Sequence, residues 1–276
     1  MSFWKRLFEN KKDKQKTKSH VDKYRIELEK SNIKTIADLE NLVKPFIKNA
    51  IKFNVLPASR PPENSQLISH FGGQPYFEND ELWPKSKKGN YLDFIFQVFN
   101  ADGAQLPNNI ELIQFYYDWD ESPWDTKDDG WLVKIYKKVE KDNVLSINKP
   151  EKLGRSKFCK INFDTVKSLP DWEGIEIFSN HASKLSCILN EDEPWLSYQK
   201  TVTKLIGEQD YQSQLGGYPK WIQGEDTPLD NKGNKLQLLF QIDSEENAQI
   251  MWGDTGLIYV FHDEKSERVE FVLQCY

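Results

Sequence analysis

Three cysteines and four histidines are all that this chain of 276 residues offers to a disulfide framework or a histidine-rich metal site. Cys159, Cys187 and Cys275 are odd in number and scattered, with no Cys-x-x-Cys pair. That pattern suits a reducing compartment and points to the cytoplasm. No apolar run approaches the roughly 20 residues a membrane-spanning helix needs. The opening MSFWKRLFENKK lacks the apolar core and small-residue cleavage site of a secretory signal. Signatures of common chemistries are missing too: no Gly-x-Ser-x-Gly, His-Glu-x-x-His, Gly-x-x-x-x-Gly-Lys or Gly-x-Gly-x-x-Gly occurs. No cofactor and no metal is implied, no catalytic residue stands out, and the balance leans away from an enzyme.

Charge is plentiful and unevenly placed. Residues 1–25 hold nine Lys or Arg against Glu9, Asp13 and Asp22, a local balance of +6 within a chain whose net charge is −6. The body is therefore strongly acidic, which excludes nucleic acid as a partner because phosphate neutralisation supplies most of that affinity. Residues 1–20 read as a flexible basic leader. Its Phe3, Trp4, Leu7 and Phe8 offer weak contact with an anionic membrane surface, or pack on the body instead.

Residues 21–276 read as one domain. From Val21 to Phe53 apolar residues recur at three- and four-residue spacing, predicting helices, with Thr35 and Asp38 placed to cap the second. Pro45 starts a new helix or bends that one. Pro194 to Ile206 predicts another helix, ended by Gly207. The stretches at Leu92–Val98 and Leu236–Ile242 alternate with a period of two and predict strands with one strongly apolar face. Ile110–Tyr117, Trp131–Val139, Gly256–His262 and Val269–Tyr276 predict further strands.

Two segments echo each other. FGGQPYFENDELWPKSKKGNYLDFIFQVFN from Phe71 and LGGYPKWIQGEDTPLDNKGNKLQLLFQIDS from Leu215 share eleven of thirty residues without a gap. The shared set includes both Gly pairs, Pro75 and Pro219, Glu81 and Glu225, the Lys-Gly-Asn turns, and the Phe-Gln pairs ending at Gln97 and Gln241. Such self-similarity predicts internal duplication. The expected fold is α+β, mainly antiparallel β: a pseudo-twofold body with N-terminal helices, built of related halves at about 21–150 and 151–276. Gly-Gly-x-Pro, Trp83-Pro84, the Phe-x-Phe-Gln strand and MWGDTGLIYVFH from Met251 resemble the YwqG family, a mostly bacterial domain of unknown function. The resemblance covers about Leu28 to the C-terminus, implies an internally duplicated α+β or mainly β body, and hands over no catalytic residue.

Candidate binding residues follow from exposure and polarity. DWDESPWDTKDDG, from Asp118 to Gly130, is rich in carboxylates, with Asp118 and Asp120 in the alternation of a calcium loop. Pro123 stands where such a loop needs Gly, so a solvated acidic hairpin or a dock for a basic protein is favoured over a metal site. At least one tryptophan is expected to be exposed, with Trp83, Trp124 and Trp252 as the candidates, and Asp254 lies in a turn beside Trp252. Gln97 and Gln241 either bond across the pseudo-twofold axis or face a shared cleft; the first is favoured. His70 has Gln214 rather than a histidine as its counterpart in the second copy, and it reads as a turn residue rather than a ligand. The expected function is a non-enzymatic cytoplasmic protein-binding module. One setting for it is antagonism of a secreted bacterial toxin, which nothing in the sequence demands. The rival is a small-ligand protein or enzyme using a cleft between the halves through Asp254, Glu225, Gln241 or the acidic hairpin.

Overall fold

The computed structural model describes residues 11–58, 61–62, 65–151, 153–210 and 212–276, with side chains from residue 20 onward. The leader residues Phe3, Trp4, Leu7 and Phe8 lie outside the described residues. Helix α1 runs Lys11–Lys30 and α2 runs Ile36–Val43. The expected capping arrangement is present: Thr35 accepts from the Asp38 amide while Asp38 accepts from the Thr35 amide. Pro45 then sits in a 3-10 turn, Lys44–Phe46, and ends the helical path rather than bending it. Residues 48–53, expected to be helical, belong to strand β1, Lys48–Pro57, where β-branched Ile51 and Val55 suit an extended backbone.

Nine more strands follow: β2 His70–Phe71, β3 Asp93–Phe99, β4 Leu112–Tyr117, β5 Trp131–Tyr136, β6 Cys159–Ser168, β7 Gln214–Gly216, β8 Gln237–Asp243, β9 Leu257–Asp263 and β10 Arg268–Gln274. Between β6 and β7 lie α3 Ile175–Phe178, α4 Asn180–Leu189 and α5 Pro194–Ile206. All ten strands join one sheet in the order β10-β9-β8-β7-β1-β6-β2-β3-β4-β5. The long β1–β6 pair lies at its centre, in register from Lys48–Ser168 to Pro57–Cys159.

This corrects the expected fold class. In place of an α+β, pseudo-twofold body of two related halves with N-terminal helices, there is a single antiparallel, barrel-like sheet with few, small helices. The helices do not repeat. Among the described residues two precede β1 and three stand between β6 and β7, whereas between β1 and β2 there is only the 3-10 turn Ser65–Leu67.

One sheet hides its apolar surface by curling on itself. Phe96 of β3 meets Phe240 of β8 edge to face at 5.1 Å, and Phe115 of β4 lies 5.9 Å from Phe271 of β10. The edge strands come together through the hairpin between β4 and β5. Asp125 bridges Val272, Thr126 Oγ1 accepts from the Phe271 amide at 2.6 Å, and Trp131 stacks on Phe271 at 5.3 Å. An edge that is covered in this way is no longer a template for stray pairing.

Bulges decide what each strand buries. Pairing shifts between Phe94 and Phe96 in β3 and between Leu238 and Phe240 in β8. The alternation is broken there, so Phe96, Val98, Phe240 and Ile242 fill the barrel interior while Phe94 and Leu238 join separate clusters outside it. The strands expected to have a single apolar face are instead covered on both sides: every residue of β3 is buried. The echoed glycines serve close approach as well as turning. A Cβ on Gly72 would stand 2.4 Å from the Ser156 carbonyl oxygen, and one on Gly217 would stand 2.6 Å from Ala50 Cβ. Outside the barrel, Leu28, Leu39, Val43, Leu185 and Tyr198 form a second core shared by α1, α2, α4 and α5. The border between that helical layer and the sheet holds the site described next.

Candidate functional site

A cavity of about 560 Å³ opens where α5, the turn after β6 and the segment following β7 meet. Each wall has a local cause. Pro170, lying just after β6, has no amide hydrogen to continue a ladder, and the chain turns through Asp171, Trp172 and Glu173. Pro194 opens α5 and Gly207 closes it, which sets Trp195, Tyr198 and Val202 along one face at helical spacing. Tyr198 donates its hydroxyl to the Pro170 carbonyl at 2.7 Å and ties the helix to the turn.

The third wall, residues 220–224, has no regular structure and is stitched to the sheet by side chains. Gln241 accepts from the Lys220 amide at 2.8 Å, and Tyr259 donates to the Lys220 carbonyl at 2.8 Å. Gln274 accepts from the amides of Ile222 and Gln223 at 3.1 and 3.0 Å and donates to the Gly224 carbonyl at 2.9 Å. The Trp221 ring rests on Tyr259 at 4.6 Å. These contacts fix Lys220 and Trp221 at the cavity.

Asp171 is the pivot. Its two oxygens accept from the Trp221 amide at 2.6 Å and the Gly174 amide at 2.8 Å. Burial pushes its carboxyl up to about 7, with Glu173 and Glu225 adding to the rise and the two amides opposing it. Lys220 moves the other way. Burial brings its amine down to about 8, against the pull of Asp210 and Asp171. A carboxyl and an amine that both change charge near neutral pH thus share one aromatic-walled cavity, where they can exchange protons or charge with a bound molecule. A smaller cavity of about 160 Å³ shares Pro170, Asp171 and Trp221 and continues to Gly217 and Glu225.

The residues singled out from the sequence lie elsewhere, with two exceptions. Trp252 is fully buried in the barrel, stacked on Trp119 at 5.1 Å and donating to the Asp243 carbonyl. Trp83 is buried and donates to the Leu92 carbonyl at 2.8 Å. Trp124 is exposed, at 49 %. Asp254 is exposed, and its carbonyl accepts from the Tyr276 amide. Gln97 and Gln241 are fully buried but do not meet. Gln97 accepts from the Tyr76 amide and donates to the Gln66 and Ile68 carbonyls, so each glutamine pins a loop to its own part of the sheet. Gln241 thereby positions a wall of the cavity, and Glu225, bonded to Lys235 at 2.5 Å, lines the smaller one.

The acidic hairpin spends its carboxylates on its own turns and on the adjoining Lys87–Lys88 and Arg155 segments. Asp118 accepts from the amides of Asp120 and Glu121, Asp128 from those of Trp124 and Asp125, and Asp129 from those of Lys87 and Lys88. Asp120 lies 3.4 Å from Arg155. Among the described residues no group of three or more His, Cys, Asp or Glu is arranged to hold a metal ion. His70 is buried, bonded to the Gly72 carbonyl, and held by burial at about 4.

No motif in the sequence marks Asp171, Trp172 or Lys220. The one available signal was position: Lys220-Trp221 follows the second Gly-Gly-x-Pro directly. Residues 69–271, which run from the start of β2 into β10 and include every residue of the pivot, match the family described as a domain of unknown function, DUF1963. No curated protein matches the chain.

Proposed function

The chain belongs to the DUF1963 family, a domain of unknown function, and from that premise we propose that it is a non-enzymatic binding protein for a small polar molecule. Family membership brings no activity with it, so the site alone carries the reading. The supporting observation is the pairing of Asp171 and Lys220, poised at about 7 and about 8, in a 560 Å³ cavity with tryptophan walls. Pockets of this size with a few convergent polar groups are the usual seats of small ligands. Within the family we assign the chain to the YwqG group on Gly-Gly-x-Pro, Trp83-Pro84 and MWGDTGLIYVFH. A cytoplasmic setting is supported by three free cysteines. Among the described residues no helix is long and apolar enough to cross a membrane.

A metabolite panel followed by intrinsic tryptophan fluorescence and thermal shift tests this. The expected result is at least one saturable ligand that raises Tm and whose Kd rises tenfold or more in Lys220→Met. A panel with no saturable ligand, or one whose hits ignore that substitution, refutes the pocket.

A second reading, a protein-binding module for a basic partner, is supported by Trp124, which stands exposed beside Gly253 on an acidic hairpin. A partner that co-purifies with the wild type and is lost in Trp124→Ala is the outcome expected of it. Equal recovery by both proteins removes it.

A further inference from the structure

We propose that the ligand of this pocket is a small organic cation, an alkylated ammonium seated against the tryptophan walls and facing Asp171. The inference rests on the pocket reading above and names its ligand class. Charge is the first argument. The cavity is lined by three carboxylates, Asp171, Glu173 and Glu208, against the single amine of Lys220. With carboxylates outnumbering amines in the lining, a cation is the better electrostatic match there than an anion.

Hydrogen-bonding capacity is the second argument. Both oxygens of Asp171 already accept a backbone amide, from Trp221 and from Gly174. With one lone pair on each oxygen already taken, that carboxylate offers a ligand its charge and only half of its acceptor sites, which suits a cation better than a neutral polyol. The walls are the third argument. Trp172, Trp195 and Trp221 all line the cavity, and aromatic faces attract weakly hydrated ammonium groups that have no N–H to satisfy. The volume exceeds what a methylated head alone fills, so the ligand carries a tail, for which Lys220 is the polar anchor.

Binding is coupled to protons. Asp171 is faced by Glu173 from its own turn, by Lys220 and Glu225 from the segment after β7, by Tyr198 from α5 and by Tyr259 from β9. A cation favours ionised Asp171 and neutral Lys220, so affinity rises with pH between 6 and 8.

The test is a titration with tetramethylammonium chloride at constant ionic strength, read by tryptophan fluorescence. Its neutral isostere 3,3-dimethyl-1-butanol is titrated in parallel. Expected are saturable quenching by the cation, at least fivefold weaker binding of the alcohol, weaker cation binding at pH 6 than at pH 8, and tenfold loss in Asp171→Asn. Should Asp171→Asn fail to fold, Trp195→Leu on the half-buried face of α5 is expected to lose binding to a similar degree. If cation and alcohol bind alike, if affinity falls as pH rises, or if only neutral or anionic members of the metabolite panel bind, the cation proposal is overturned while the pocket stands. If neither the cation nor any panel member binds, both fall together.

Discussion

Asp171 and Thr35 are both carboxyl or hydroxyl groups bonded to backbone amides, yet only one could be read in advance. Thr35 and Asp38 are three residues apart, and a reciprocal cap requires nothing beyond that spacing. Asp171 acquires its character from Trp221, Gly174 and the burial that α5 imposes, none of it visible in the motif Pro-Asp-Trp. Its folded value of about 7 lies above the ~3.9 of an unfolded aspartate. Between those values the folded state holds a proton that the unfolded chain releases, so the contribution of protonated Asp171 is complete below pH ~4 and is lost as pH climbs through 7. Thermal unfolding of the wild type and Asp171→Asn across pH 4 to 8 is expected to show the difference wild type minus variant shrinking or turning negative as pH rises. A constant difference would mean that the carboxyl is not held protonated. Trp252 makes the same point from the other side, since its place in a turn beside Gly253 gave no hint that the ring is stacked inside the barrel.

At the scale of elements, period-two alternation found β3, β4, β5, β8, β9 and β10 to within a few residues, and Pro194 with Gly207 bounded α5. It missed β6, the two-residue β2 and the three-residue β7, while the three- and four-residue spacing carried the helix into β1. β2 and β7 make too few side-chain repeats to register, β6 keeps a clear buried-exposed alternation only from Cys159 to Ile161 before its middle turns largely polar and exposed, and β1 follows a helix with only a 3-10 turn between them. Alternation also failed to say which face turns inward, because a bulge reverses it midway along β3 and β8. The segment 220–224 depends on the same logic of fixed partners. Gln274→Leu removes the acceptor for the Ile222 and Gln223 amides and is expected to destabilise the protein by about 1–3 kcal/mol. Faster hydrogen exchange at those two amides, together with weaker ligand binding, is the expected signature. Protection unchanged from wild type would show that the segment is held by something else.

For the molecule as a whole, the echo between the two Gly-Gly-x-Pro segments was correctly visible as text, but the fold class drawn from it was not. The helices occupy unlike places, and the ten strands form one curled sheet rather than an α+β body of matching halves. What holds that curl is contact across the barrel, with Phe96 and Phe240 at its middle. A double-mutant cycle of Phe96→Leu and Phe240→Leu is expected to give a coupling of about 0.5–1.5 kcal/mol by chemical denaturation. Additive effects would mean that the two rings do not support each other and that the sheet is closed elsewhere, chiefly by the hairpin that carries Thr126 and Trp131.

By itself the sequence determined six of the ten strands, the cap at Thr35, the ends of α5 and an acidic body, because each depends on neighbours within a few residues or on composition. The tertiary structure alone decided which faces the barrel encloses and where the cavity lies. Asp171, Trp195 and Lys220 are far apart along the chain, and the environment that shifts the charges of Asp171 and Lys220 exists only once α5 and the sheet have packed around them. Burial and desolvation are properties of the assembled molecule, and no local pattern encodes them.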